Sequence, residues 1–134
     1  SLEMVQLNVT TLTDLSLRLG ARMAQRGRGA IVNVASLVAF VPTPTYAVYA
    51  ATKAFVVSFS AALGRELGRR GVHVMALCPG PTKTEFFHVA GGDLPLGGGA
   101  LVETAESVVR AALRGLDRRR RVTVPGLLNK MLAY

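Results

Sequence analysis

Cysteine, aromatic side chains and acidic residues are all scarce in this chain, and each shortage closes off a class of function. A single cysteine, Cys78, and no Cys-x-x-Cys pair exclude an intramolecular disulfide and a multi-cysteine zinc site, and they fit a reducing cytoplasm. Histidine occurs twice, at His73 and His88, too far apart in sequence to suggest a metal site, and no metal is expected. Tryptophan is absent, and the three tyrosines and five phenylalanines do not interleave with arginines as a base-stacking platform requires. No uninterrupted apolar run reaches the ~18 residues that span a bilayer. The first residues, Ser1-Leu2-Glu3-Met4, lack the basic-then-apolar pattern of a secretory leader. Because they do not open on Met, the expectation is a processed start or a piece of a longer protein.

Eight acidic residues against sixteen basic ones leave a net charge of +8. The arginines cluster at Arg26 and Arg28, at Arg65, Arg69 and Arg70, and from Arg118 to Arg121. Each cluster falls where a helix ends or a turn begins, and cations there complement the helix dipole while staying solvated. Such a surface also suits a phosphate-bearing cofactor. No nucleic-acid partner is expected, and peripheral contact with an anionic membrane is the lesser reading.

What is present is enough for one core. Half of the 134 residues are hydrophobic, a length and composition for one compact domain. Leu7, Leu12, Leu15, Leu19 and Met23 recur at helical spacing, so Glu3 to Arg26 reads as a helix stopped by Gly27 and Gly29. Ala30 to Ala35 is short, apolar and β-branched, the pattern of a strand buried on both faces. Pro42 and Pro44 punctuate the loop that follows. Thr45 to Arg70 reads as a helix ended by Gly71, Val72 to Cys78 as a second buried strand, and Pro79 to Gly99 as a long loop. Glu103 to Leu116 is a third helix, Arg121 to Val124 a short strand, and Leu127 to Tyr134 a terminal helical turn. This α-β-α-β-α-β alternation predicts an α/β fold with a parallel sheet covered by helices.

Open parallel sheets bind ligands beyond the carboxyl ends of their strands. That rule selects Ser36, the Pro79-Gly80 turn, and the start of the helix holding Tyr49. Tyr49 and Lys53 are four residues apart and share a helix face. An ammonium beside a phenol favours the phenolate, so Lys53 is expected to lower a pKa that is otherwise near ~10. By itself the pair is unspecific, and a serine at a strand end is as often a turn former or helix cap. Cys78 reads as a small buried apolar residue.

The elements together are specific. Ile31-Val32-Asn33-Val34-Ala35-Ser36, then Tyr49 thirteen positions later opening Tyr-Ala-Ala-Thr-Lys, resembles the active-site segment of the short-chain dehydrogenases. Leu7-Asn8-Val9 resembles the helix bearing that family's catalytic asparagine, and Cys78-Pro79-Gly80-Pro81-Thr82-Lys83-Thr84 resembles its Pro-Gly cofactor loop. The resemblance implies a catalytic set of Asn8, Ser36, Tyr49 and Lys53, and a cofactor-binding set of Tyr49, Lys53, Pro79, Gly80, Thr82 and Thr84. It implies NAD or NADP as cofactor, a small carbonyl or alcohol as substrate, and a homo-oligomer built on the helices 3–26 and 45–70. It also implies the carboxyl-terminal half of a Rossmann-type doubly wound sheet, so that 1–134 is one partial, catalytic-half domain.

The family's opening glycine-rich turn, Thr-Gly-x-x-x-Gly-x-Gly, has no match here. Gly91-Gly92 and Gly97-Gly98-Gly99 do not follow a strand at that spacing and read as a substrate loop. The chain alone is therefore expected to lack the adenine half of the cofactor site. The strand 30–35 would lie mid-sheet in the family order, so its free edge is expected to be covered by further chain or another copy. The rival reading is an inactive remnant that keeps only an association surface.

Overall fold

The computed structural model describes residues 1–82 and 102–133. Thr84, His88 and the glycines of the 91–99 loop lie outside the described residues.

Three parallel strands, β1 (Gly29–Val34), β2 (Val72–Leu77) and β3 (Val122–Thr123), pair in the order β1-β2-β3, with Ile31 opposite Val74 and Leu77 opposite Thr123. The expected α/β alternation holds along the chain. The first helix runs from α1 (Leu2–Val5) through a π-helical segment (Gln6–Thr11) into α2 (Leu12–Arg26). Gln6 and Leu12 at the two junctions keep right-handed helical dihedrals, so the helix continues while its winding loosens. It ends on Gly27 at φ 73°, where Gly27 N–H donates to the Ala24 carbonyl and Arg28 N–H to that of Met23, a Schellman stop that needs the left-handed glycine. A 3-10 turn (Leu37–Phe40) follows β1, then α3 (Ala47–Gly68), α4 (Ala105–Asp117) and α5 (Leu127–Ala133).

β2 sets the layering because strand side chains alternate between faces. Val72 and Val74 pack with Ala24 of α2 and Leu63 of α3, and Ala76 and Cys78 pack with Val56 of α3 and Leu37. Met75 and Leu77 point the other way, onto Val108 and Ala112 of α4. Both faces of β2 are thus covered, as its apolar pattern, broken only by His73, requires.

The apolar stripe expected on the first helix is not the face that meets the sheet. Leu12 and Met23 pack inward, but Leu7, Leu15 and Leu19 are 66%, 52% and 46% exposed. The buried residues of α2 are the small ones, Ser16, Gly20 and Ala24, one per turn. A Cβ on residue 20 would stand 2.7 Å from Cδ1 of Leu67, so the helix approaches its neighbours too closely for large side chains.

One polar chain crosses this interface. Ser16 Oγ donates to Asn33 Oδ1 at 3.3 Å, and Asn33 Nδ2 donates to Ser60 Oγ at 3.0 Å, tying α2, β1 and α3 together in the interior. α3 is long and apolar enough, by length and composition, to cross a membrane, because one lysine hardly dilutes its apolar run. In this fold its Val56, Ser60 and Leu63 are buried within the domain, and Lys53 reaches the carboxyl end of β1.

Candidate active site

The carboxyl ends of β1 and β2 open into a cavity of about 640 Å³. Its wall brings together Asn8, Ser36, Tyr49, Lys53, Pro79, Gly80 and Thr82, seven of the eight residues singled out from the sequence. The eighth, Thr84, is outside the described residues.

Ser36 is placed by backbone bonds on either side. Ala35 N–H donates to the Leu77 carbonyl at 2.7 Å, extending the β1–β2 ladder, and Leu37 N–H donates to the Pro79 carbonyl at 2.9 Å. The strand end bearing the serine is therefore tied to the Pro-Gly turn. The Ser36 hydroxyl also caps the 3-10 turn, accepting from Val38 N–H at 3.3 Å. The capping and chemical readings of this serine coexist, since the oxygen has a second lone pair and its own proton.

Tyr49 and Lys53 come from the first two turns of α3. Lys53 Nζ donates to the Val34 carbonyl at 3.0 Å and lies 5.6 Å from the centroid of the Tyr49 ring. Burial lowers the Lys53 pKa, against a smaller upward pull from Cys78. Burial raises the Tyr49 pKa above its ordinary value, and a hydrogen bond with Ser36 pulls it partly back. This direction is the reverse of the sequence expectation. Spacing announces the ammonium, but burial of the phenolate sets the direction, and the opposing pull comes from Ser36. Cys78, beneath the site, is buried and its thiol is pushed up to about 12 by burial, opposed by a backbone hydrogen bond to Ser36 and by Lys53.

Asn8 sits in the π-helical segment. Its Nδ2 donates to Thr52 Oγ1 at 3.2 Å, and the Thr52 hydroxyl donates to the Tyr49 carbonyl at 2.7 Å. Thr52 is 3% exposed and couples the two helices directly behind the tyrosine. Sequence reasoning passed over it as one of the unspecified positions between Tyr49 and Lys53. A buried hydroxyl on the helix face beside them was the available signal.

The Pro79-Gly80 turn offers backbone rather than charge. Thr82 Oγ1 donates to the Gly80 carbonyl at 3.0 Å, closing the turn. His73 stays within β2, its Nε2 2.8 Å from the Arg120 carbonyl and away from the cavity. Among the described residues no group of three or more His, Cys, Asp or Glu side chains could hold a metal ion.

A phenol, an ammonium and a serine hydroxyl at the carboxyl end of one strand, facing a Pro-Gly turn at the end of the next, match a known arrangement. Residues 2–93 match the short chain dehydrogenase family. The chain belongs to that family. A short-chain dehydrogenase from Sphingobium yanoikuyae, solved in complex with NADPH, superposes with a TM-score of 0.83 at 43% identity, over 92% of this chain and 47% of its own. The bulky-bulky ketone specific alcohol dehydrogenase from Comamonas testosteroni gives 0.77 at 40% identity, over 92% and 45%. The 17-beta-hydroxysteroid dehydrogenase type 3 of Danio rerio is 33% identical over 114 residues, 85% of this chain and 35% of its own. This short-chain dehydrogenase segment spans just under half the length of those solved structures and about a third of that curated relative.

Proposed function

We propose that the protein carrying this chain is an NAD(P)-dependent oxidoreductase that interconverts a carbonyl and an alcohol, with Tyr49 as acid/base. The observation that carries the reading is the convergence of Ser36, Tyr49 and Lys53 on one cavity beside the Pro79–Thr82 turn. The similarity to an NADPH-bound relative supports the same cofactor class.

The residues fit such a group. Lys53 points an ammonium into the cavity while anchored by one bond to Val34, and Gly80 presents a backbone with no side chain in the way. Lys53, Pro79, Gly80 and Thr82 would hold the nicotinamide end, with Thr84 a further candidate from the sequence. When bound, NAD(P)H supplies the hydride. Ser36 orients the substrate carbonyl oxygen through its hydroxyl. Tyr49 donates its phenolic proton to that oxygen in reduction and accepts it back in oxidation. Its raised pKa keeps it protonated at neutral pH without cofactor, the state that reduction requires. Lys53 stabilises the phenolate once the proton has left. Asn8, whose amide is tied to Thr52, would through its helix hold a water linking Lys53 to solvent.

The substrate is a small molecule with a ketone or secondary alcohol. Met4, Leu7, Val38 and Val109 line the cavity and favour an apolar one. The domain is proposed to be one catalytic half, 1–134, of a longer short-chain dehydrogenase. Its sole thiol, buried as Cys78, accords with a cytoplasmic setting. A homo-oligomer is proposed through the first helix and α3, where Leu7, Leu15, Leu19 and Val48 are exposed.

The test is a panel of apolar ketones offered with NADPH and with NADH to the native protein. Consumption of reduced nicotinamide with matching alcohol formation supports the reading. A protein that binds neither cofactor refutes it.

A further inference from the structure

We infer that Asn129 is a positioning residue for the turn Pro79–Thr82, acting through the backbone of Gly80. The inference rests on the reading of that turn as the nicotinamide loop. Asn129 lies outside every sequence motif and outside the cavity wall, whereas Gly80, Pro81 and Thr82 are part of that wall.

Asn129 is 1% exposed, and it is the buried residue of α5; Leu127 and Met131 on the same helix are 77% and 71% exposed. α5 therefore docks through this side chain together with Ala133, one turn on, which packs against the cluster of Ala35, Leu37 and Val56. The target of the asparagine is Gly80. A Cβ on residue 80 would stand 2.5 Å from Asn129 Nδ2 and 2.7 Å from both Cγ and Oδ1. Real Cβ atoms do not come that close, so the asparagine at 129 requires a glycine at 80. The amide therefore fills the space beside the α-carbon of residue 80 and limits how closely the turn can approach α5.

A second group holds the same turn from the side. Glu103 N–H donates to the Pro81 carbonyl at 2.8 Å, and Glu103 bridges Thr82 as an isolated parallel pair. The Glu103 carboxylate accepts from Ser107 Oγ at 3.0 Å and packs where Gly126 leaves room before α5. With Leu37 N–H on the Pro79 carbonyl, three separate elements grip four residues. Catalytic geometry tolerates little slack, and a displacement near 1 Å can lower a rate by about a hundredfold. A wedge beneath the turn therefore has a functional consequence although it touches no reactant.

The experiment is a double-mutant cycle in the native protein with Gly80→Ala, Asn129→Ala and both, reading the cofactor KM, the carbonyl-substrate KM and the Tm. Gly80→Ala alone should raise the cofactor KM by about tenfold and leave the carbonyl-substrate KM within about twofold. With Asn129 truncated the new methyl fits, so the same substitution should raise the cofactor KM by less than about threefold. Should Asn129→Ala fail to fold, Asn129→Ser opens the same space and takes its place in the cycle. Equal effects of Gly80→Ala in both backgrounds, or a fall in Tm with no change in cofactor KM, would overturn the role given to Asn129. If the unaltered protein uses no nicotinamide cofactor, the oxidoreductase reading itself falls and takes this inference with it. If it does and the two substitutions simply add, Asn129 alone is misassigned.

Discussion

At the end of β1 the proposed reactive atoms belong to side chains: the Ser36 hydroxyl, with the Tyr49 phenol and Lys53 ammonium brought over from α3. At the end of β2, one strand away, they belong to the backbone of Pro79, Gly80 and Pro81, and the side chains nearby serve to hold that backbone still. The first region is fixed by the backbone bonds on either side of Ser36 and by long-range side-chain bonds, Lys53 to Val34 and Asn8 to Thr52, over a buried polar chain through Asn33. The second is fixed by close packing of Asn129 on a glycine and by main-chain bonds from Leu37 and Glu103. On the proposed reading, chemistry sits at one strand end and placement at the other.

If that division is right, substitutions at the β1 end change kcat before affinity. Tyr49→Phe should give the largest effect, lowering kcat on the order of a thousandfold by removing the transferable proton. Cofactor dissociation, followed by nicotinamide fluorescence, should stay near the unaltered value because the ring remains. Lys53→Met comes next and tests the border between the regions. Both kcat and cofactor affinity should fall, each by roughly tenfold or more, since the proposal assigns one ammonium both to the phenolate and to the cofactor. Movement of only one parameter in steady-state kinetics would assign Lys53 to one region alone.

Beneath the β1 end, Asn33→Ala should lower unfolding free energy by about 3 kcal/mol, because it strands the buried hydroxyls of Ser16 and Ser60. Chemical denaturation would show it, and a change below about 0.5 kcal/mol would mean that Asn33 contributes nothing to fixing the helices. Beneath the β2 end, Cys78 has no expected effect at neutral pH. Its folded pKa is raised from 9.0 to about 12, so the folded state holds the proton more tightly. The stability this represents is fully present below pH 9 and is lost as pH rises toward about 12. Tyr49, also raised, acts in the same direction above its ordinary value, whereas Lys53, lowered, acts in the opposite one. Tm should therefore decline from pH 9 upward in the unaltered protein and less steeply in Cys78→Ala. Parallel curves would show that the thiol ionises without hindrance.

The same division explains what could be read from the sequence. The α/β order, the three strands and the spacing of Ser36, Tyr49 and Lys53 were legible because apolar periodicity and side-chain type are written directly in the residues. Burial direction was less so. The leucines of the first helix marked its periodicity but not its inner face, where Ser16, Gly20 and Ala24 lie, because close approach to Leu67 and β1 selects for size over hydrophobicity. The π-helical segment around Asn8 carries no local signal, since its winding is not encoded by propensity, and the partner of Asn8, Thr52, lies more than forty positions away. Asn129 is further still from any motif, and its partner is a glycine that offers only space. The tyrosine pKa was read in the wrong direction for a related reason: sequence spacing shows a neighbouring charge but not the depth of burial around it.

The central claim is that Tyr49 exchanges the proton while the Pro79–Thr82 turn, with Lys53, holds the nicotinamide. A single-turnover measurement with the native protein, a reducible ketone and its preferred reduced nicotinamide tests it most directly. The account predicts one alcohol formed for each reduced nicotinamide consumed, and a Tyr49→Phe variant that binds the cofactor with near-unaltered affinity yet leaves it unreacted on that timescale. A Tyr49→Phe variant that turns over at more than about a tenth of the unaltered rate would contradict it, because acid/base catalysis alone is worth at least about a hundredfold.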